Sequence, residues 1–148
     1  MHVLDMFTIV CVGLMVGNEL AISAFVNPAV WQLENSPQAQ GLSILARSLG
    51  RAMPVWYGLC LVLLALESSV HRQTAASVPL LAATLIWTAV IVFTITMLVP
   101  INNRIASLNT AAPAPGWKQD HQKWDSLHRL RILLLVIAFF ALTYALVA

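Results

Sequence analysis

Four stretches of this chain, 4–26, 54–70, 78–99 and 132–148, are apolar over about the 20 residues that a helix needs to cross the hydrocarbon core of a bilayer. No other feature restricts the fold so tightly. In lipid every backbone amide must find its partner within the chain, so only helices and closed barrels can span. Stretches this continuously apolar lack the alternation of barrel strands. The sequence therefore predicts an all-α, integral membrane four-helix bundle: one domain over 1–148, with a cytoplasmic cap from 27–53 and 100–131. With 59% hydrophobic residues, 9% charged and a mean hydropathy of +0.81, a soluble domain is excluded. The formal net charge of +2 forms no basic stripe with interleaved aromatics, which excludes a nucleic-acid partner.

The connections are unequal. Residues 71–77 make a tight turn, so the second and third helices form an antiparallel hairpin, whereas 27–53 and 100–131 are long. Ser36 reads as a cap with Pro37 in the first turn, and Leu42, Ile44, Leu45 and Leu49 continue an amphipathic run, so the second helix starts well before the membrane. The fourth begins near Trp117, after the breaker-rich segment 110–116. Helices two and four thus extend into the cytoplasmic cap. Arg47, Arg51, Arg104, Lys118, Lys123, Arg129 and Arg131 lie on the cap side and Arg72 alone on the other. Under the positive-inside rule, seven against one places both termini outside, and a bacterial inner membrane is the expected location. The N-terminal segment has no basic leader region and is read as a retained helix. Gly13, Gly17 and Ala21 form a small-residue ridge suited to close approach of another backbone. Cys11 and Cys60 lack metal or redox spacing and read as small core hydrophobes. No repeat of solenoid length occurs, although two hairpins suggest an old duplication.

Several side chains stand out chemically. Glu19, beside Asn18, lies about 10 Å inside the cap-side end of the first helix. An ionised group at that depth must face inward, be paired or be protonated, and it is a functional candidate or a packing device. Trp117, His121, Trp124, His128 and Arg131 follow at spacings of four, three, four and three, which puts all five on one helical face. Either this stripe forms an interfacial aromatic belt or it lines a site at the mouth of the bundle. Pro100 ends or kinks the third helix beside Asn102 and Asn103, whose carboxamides are caps or site groups. Asn27, Pro28 and Trp31 occupy the same side. His2, His71 and Glu67 fall at the opposite face and read as surface residues.

Gly17-Asn18-Glu19 leading to Phe25-Val26-Asn27-Pro28-Ala29, the segment Pro100-Ile101-Asn102-Asn103-Arg104, and Trp117 with Lys123-Trp124-Asp125-Ser126-Leu127-His128-Arg129-Leu130-Arg131 resemble the anthrone-oxygenase-like family of small four-helix membrane proteins. The resemblance spans essentially the whole chain, although Asn27 stands where a histidine is often found before the proline. It implies oxidation of a phenolic anthrone to a quinone, with dioxygen as co-substrate and no cofactor or bound metal. On that reading His128 and Glu19 are the catalytic candidates, with His128 taking a proton, as suits an imidazole. Asn102, Asn103 and Arg131 would hold the developing oxyanion, and Trp117 and Trp124 would stack on the flat ring system. Asp125 would orient the imidazole or pair with Arg129. The partners are membrane lipid and a lipophilic small molecule, and a homo-oligomer is left open. Two other readings compete. One is a nonenzymatic protein that binds or transports a lipophile, or serves as an assembly subunit. The other is a metal-dependent oxidase using His121, His128 and Glu19, disfavoured because the two histidines lie about 10 Å apart along the axis.

Overall fold

A computed structural model describes residues 3–147. It is all-helical, and its four helices are each long and apolar enough to span a membrane: α1 (Val3–Trp31), α2 (Asn35–Val70), α3 (Ser77–Ala106) and α4 (Trp117–Val147). The chain is a helical membrane bundle. One end carries the α1–α2 and α3–α4 connections and is called the cap end. The other carries Val3, Val147 and the α2–α3 turn and is called the terminal end. His2 lies outside the described residues.

Gly116 adopts φ +90°, a left-handed conformation that suits glycine, and Trp117 then opens α4. The α2 start differs from expectation. The helix begins at Asn35 and Glu34 holds the extended N-cap position without a side-chain bond, so Ser36 is inside the helix and is not its cap.

Which residues turn inward follows helical periodicity. On α1 the buried stripe is Val12, Met15, Val16, Glu19 and Ile22. On α4 it is His121, Asp125, His128, Arg131, Ile132, Leu135, Ala138 and Leu142. Large apolar side chains such as Leu14, Val62, Leu85, Leu133 and Phe140 are exposed on the outside, where lipid is their solvent. Because lipid is as apolar as these side chains, burial of leucine does little to hold such helices together; close packing and buried polar contacts do.

The stripes of α2 and α3 are interrupted. On α2 burial stops after Ala46 and resumes at Tyr57; on α3 it stops after Val90 and resumes at Leu98. The two gaps face one another and enclose a cavity. In α3 the gap coincides with a π-turn at Thr94–Leu98 directly before Val99-Pro100, and α1 repeats the device at Ile22–Val26 before Asn27-Pro28. Pro28 and Pro100 offer no N–H to the carbonyls of Ala24 and Thr96 and crowd them, and the widened turn accommodates both defects without breaking either helix.

The small-residue ridge of α1 does not receive a backbone. Gly13 faces the Phe139 ring, which would stand 3.1 Å from an added Cβ, and Gly17 has nothing within 4 Å. Cys11 and Cys60 are free thiols that face one another at 3.9 Å.

Candidate functional site

The buried stripes of α1 and α4 bring Glu19 against Arg131, 112 residues later in the chain, where Arg131 Nη2 donates to Glu19 Oε2 at 2.7 Å. Tyr57 of α2 donates its hydroxyl to Glu19 Oε1 at 2.9 Å, and the Arg131 guanidinium lies 5.6 Å from the centre of the Tyr57 ring. Arg131 Nη2 also stands 2.8 Å from His128 Nδ1, while His128 Nδ1 is 3.4 Å from Glu19 Oε2. Since a guanidinium can only donate, Nδ1 is the acceptor and the ring proton sits on Nε2. Glu19 is 1% exposed, Arg131 6% and His128 0%, so a full ion pair is held away from water. Such a pair is stabilised when its remaining hydrogen-bonding capacity is used, and the tyrosine and imidazole use part of it here, leaving the buried Arg131 Nε without a partner.

Next to this cluster the gaps of α2 and α3 leave a cavity of about 440 Å³, within the ~300–1,000 Å³ typical of small-molecule sites. Glu19, Tyr57 and Arg131 supply polar groups to a wall otherwise made largely of apolar side chains such as Met53, Leu61, Ile91 and Leu98. Pro54, Ile95 and Val99 form part of the rim and are exposed on the flank between α2 and α3, so the cavity faces lipid sideways. Trp87 underpins the polar wall: fully buried, it donates its indole N–H to the Tyr57 carbonyl at 3.1 Å and packs on the tyrosine ring.

The sequence-predicted residues divide between this wall and the cap. Glu19, Asn102, Asn103, Trp124 and Arg131 line the cavity. Asn102 donates to the Ala46 carbonyl at 3.1 Å, while Asn103 is exposed. His128 stands behind the wall, its ring stacked on Trp124 with centroids 4.6 Å apart. Trp117 does not line the cavity; it packs on the cap-end apolar cluster of Val30, Leu42 and Ile101, under the Lys118 ammonium. Asp125 does not touch the His128 imidazole. It accepts from Asn27 Nδ2 at 2.8 Å and from Arg129 Nη2 at 2.7 Å, which ties α1 to α4. The helical stripe continues as stacked rings, since His121 lies 4.8 Å from Trp31 and 6.5 Å from Trp124. Trp124 thus separates the two imidazoles, which do not converge on a common point. Arg131 is consumed by the buried ion pair, so six basic residues rather than seven remain on the cap side.

Tyr57, Met53 and Trp87 were not singled out from the sequence, because an isolated aromatic or methionine in an apolar helix looks the same whether it faces a cavity or lipid. Glu67 and His71 are not surface residues. Glu67 is fully buried and accepts the Thr8 hydroxyl at 2.8 Å, and His71 folds back beside it, because both follow the inward stripe Tyr57, Cys60, Leu64 to its end.

Comparison with protein families matches residues 43–141 to the anthrone oxygenase family. That span contains Tyr57, Asn102, Trp124, His128 and Arg131, and Glu19 and Asn27 of α1 precede it. No curated protein and no solved structure matches the chain. A match over more than half of the sequence, running from the cap-end half of α2 deep into α4, is decisive: the chain belongs to the anthrone oxygenase family.

Proposed function

We propose that the protein oxidises a flat, lipophilic phenol of the anthrone class with dioxygen, giving the corresponding quinone and water without a resident cofactor. The observation that carries this reading is the carboxylate of Glu19, braced by Tyr57 and Arg131, facing a mostly apolar cavity that opens sideways toward lipid. A polycyclic phenol dissolved in the bilayer enters between α2 and α3 and stacks against Trp124. Its carbon that carries two hydrogens loses one as a proton to Glu19, and the negative charge spreads to the ring oxygen. Arg131, whose Nε has no partner, the second amide hydrogen of Asn102, and Asn103 would hold that oxyanion, while Tyr57 holds Glu19. The anion gives up electrons to dioxygen, a C–O bond forms, and the proton held by Glu19 returns to the outer oxygen, leaving a hydroperoxide. Loss of the second proton with cleavage of the O–O bond releases water and leaves the new carbonyl.

His128 serves this step from behind. Its Nδ1 accepts from Arg131 Nη2 and so positions the guanidinium that holds Glu19. The six-to-one distribution of basic residues supports a cytoplasmic cap with both termini outside, in a bacterial inner membrane. A reporter fused after Ala148 tests this orientation, and a cytoplasmic signal there inverts it.

Dioxygen uptake by membranes supplied with an anthrone, measured against membranes lacking the protein, tests the reaction. The Glu19→Gln variant is expected to lose about 100-fold or more of the catalysed rate, as removal of a proton acceptor does. Unchanged uptake in Glu19→Gln removes Glu19 from the mechanism. A parent protein that binds the anthrone without consuming oxygen replaces the enzyme with a lipophile-binding protein, which the same apolar cavity accommodates.

A further inference from the structure

At the terminal end, far from the cavity, three ligating side chains converge. His71 Nε2 lies 3.5 Å from Asp5 Oδ1 and 3.4 Å from Glu67 Oε2, and the three potential ligand atoms lie within 4.8 Å of one another. Asp5 is 3% exposed and Glu67 0%. Thr8 satisfies Glu67 Oε1 at 2.8 Å, yet Glu67 Oε2, fully buried and directed at the cluster, has no hydrogen bond. That oxygen is what a cation ligand looks like with its outer neighbour already in place.

We propose that Asp5, Glu67 and His71 bind a divalent transition cation of the zinc class. The donor set of one imidazole and two carboxylates suits zinc, with iron(II) and manganese(II) as weaker competitors, and the imidazole disfavours calcium or magnesium. The two distances from His71 Nε2 agree, because a tetrahedral zinc at about 2.0–2.1 Å from each ligand sets neighbouring ligand atoms about 3.3–3.4 Å apart. Three protein ligands leave a fourth position, and the His71 side chain, 18% exposed, gives it a route to solvent at the membrane face. The ion joins the start of α1 to the end of α2. Glu67 lies ten positions after Tyr57 and Asp5 fourteen before Glu19, so the ion sits about 15–21 Å along the helices from the cavity and takes no part in the oxidation.

The full-length protein in detergent, dialysed against a chelator, reloaded with zinc sulfate and desalted, provides the test. The parent is expected to retain about one zinc per chain, and both Glu67→Gln and His71→Ala to bind it roughly tenfold or more weakly. Zinc should raise the unfolding temperature of the parent but of neither variant. His71→Ala changes a partly exposed residue beyond the helix end, so it decides the matter if Glu67→Gln fails to fold. Absence of stoichiometric zinc in the parent, or equal retention in a folded variant, overturns the site. Oxygen uptake by His71→Ala, expected to match the parent, keeps this outcome separate from that of the oxidation.

Discussion

The two ends of the α1–α2 contact are built from the same materials to opposite effect. At the cavity, Glu19 of α1 meets Tyr57 of α2; at the terminal end, Asp5 and Thr8 of α1 meet Glu67 of α2. Both places hold a deeply buried carboxylate with a hydroxyl donor and a histidine nearby. At the first, the Arg131 guanidinium delivered by α4 supplies the counter-charge, and a cavity adjoins the pair. A carboxylate braced by a guanidinium and a hydroxyl keeps a fixed shape, which suits work on a molecule that comes and goes. A carboxylate with an oxygen that accepts no hydrogen bond, such as Glu67 Oε2, can instead serve as a ligand to the proposed zinc. A guanidinium from the fourth helix thus marks the site proposed to act on a substrate, and an open carboxylate oxygen the site proposed to bind a cation.

Arg131→Met should show the largest effect. It leaves Glu19 buried beside a neutral imidazole and a tyrosine, and loss of one partner of a buried pair destabilises by about 3–5 kcal/mol. Thermal unfolding in detergent measures this. Adding Glu19→Gln removes the stranded charge and should recover most of the loss without recovering oxygen uptake. If the double variant is no more stable than Arg131→Met alone, Arg131 acts by packing and the contrast between the two ends loses its basis.

Much of this arrangement was legible in the sequence, and the illegible part has a common cause. The four-three spacing placed His121, Trp124, His128 and Arg131 on one face of α4, and the apolar lengths gave the four spans, because both depend only on residues near one another in the chain. The partner of Glu19 was not legible: Arg131 is 112 residues away, and an arginine at the mouth of a span reads equally well as a headgroup contact. The cavity was hidden for a related reason. It exists because the inward stripes of α2 and α3 lapse at the same level, and each lapse alone, at 47–56 and 91–97, looks like continued apolar helix. Glu67 and His71 were misplaced because a carboxylate and an imidazole at the end of a span resemble an interfacial rim; Thr8 and Asp5, their partners, lie 59 or more residues earlier.

Deleting the two hydroxyl donors should give intermediate effects that differ in kind. Tyr57→Phe and Thr8→Val each remove one hydrogen bond to a buried carboxylate, worth about 1.5–3 kcal/mol when the acceptor is charged. Unfolding measurements should find the two losses similar. Oxygen uptake should not: Tyr57→Phe slows it because the hydroxyl holds Glu19, while Thr8→Val leaves it at the parent level and instead weakens zinc retention. Equal loss of uptake in both variants would mean that the bundle responds as one unit to any loosening of α1 on α2.

The smallest effect is expected from Glu67→Gln in the metal-free protein, and its sign is informative. The amide keeps an oxygen for the Thr8 hydroxyl and offers an N–H₂ where Glu67 Oε2 now lies, 3.4 Å from His71 Nε2 and close to the Asp5 carboxylate. One of two neighbouring buried charges disappears while a donor is gained, so relief of like-charge repulsion offsets the lost attraction and stability should change by no more than about 1 kcal/mol, most simply upward. A loss of several kcal/mol would instead show that an imidazolium clamps both carboxylates in a complete buried ion pair, as Arg131 does for Glu19. The two ends would then be balanced by the same internal means, and a zinc ion would have nothing to complete.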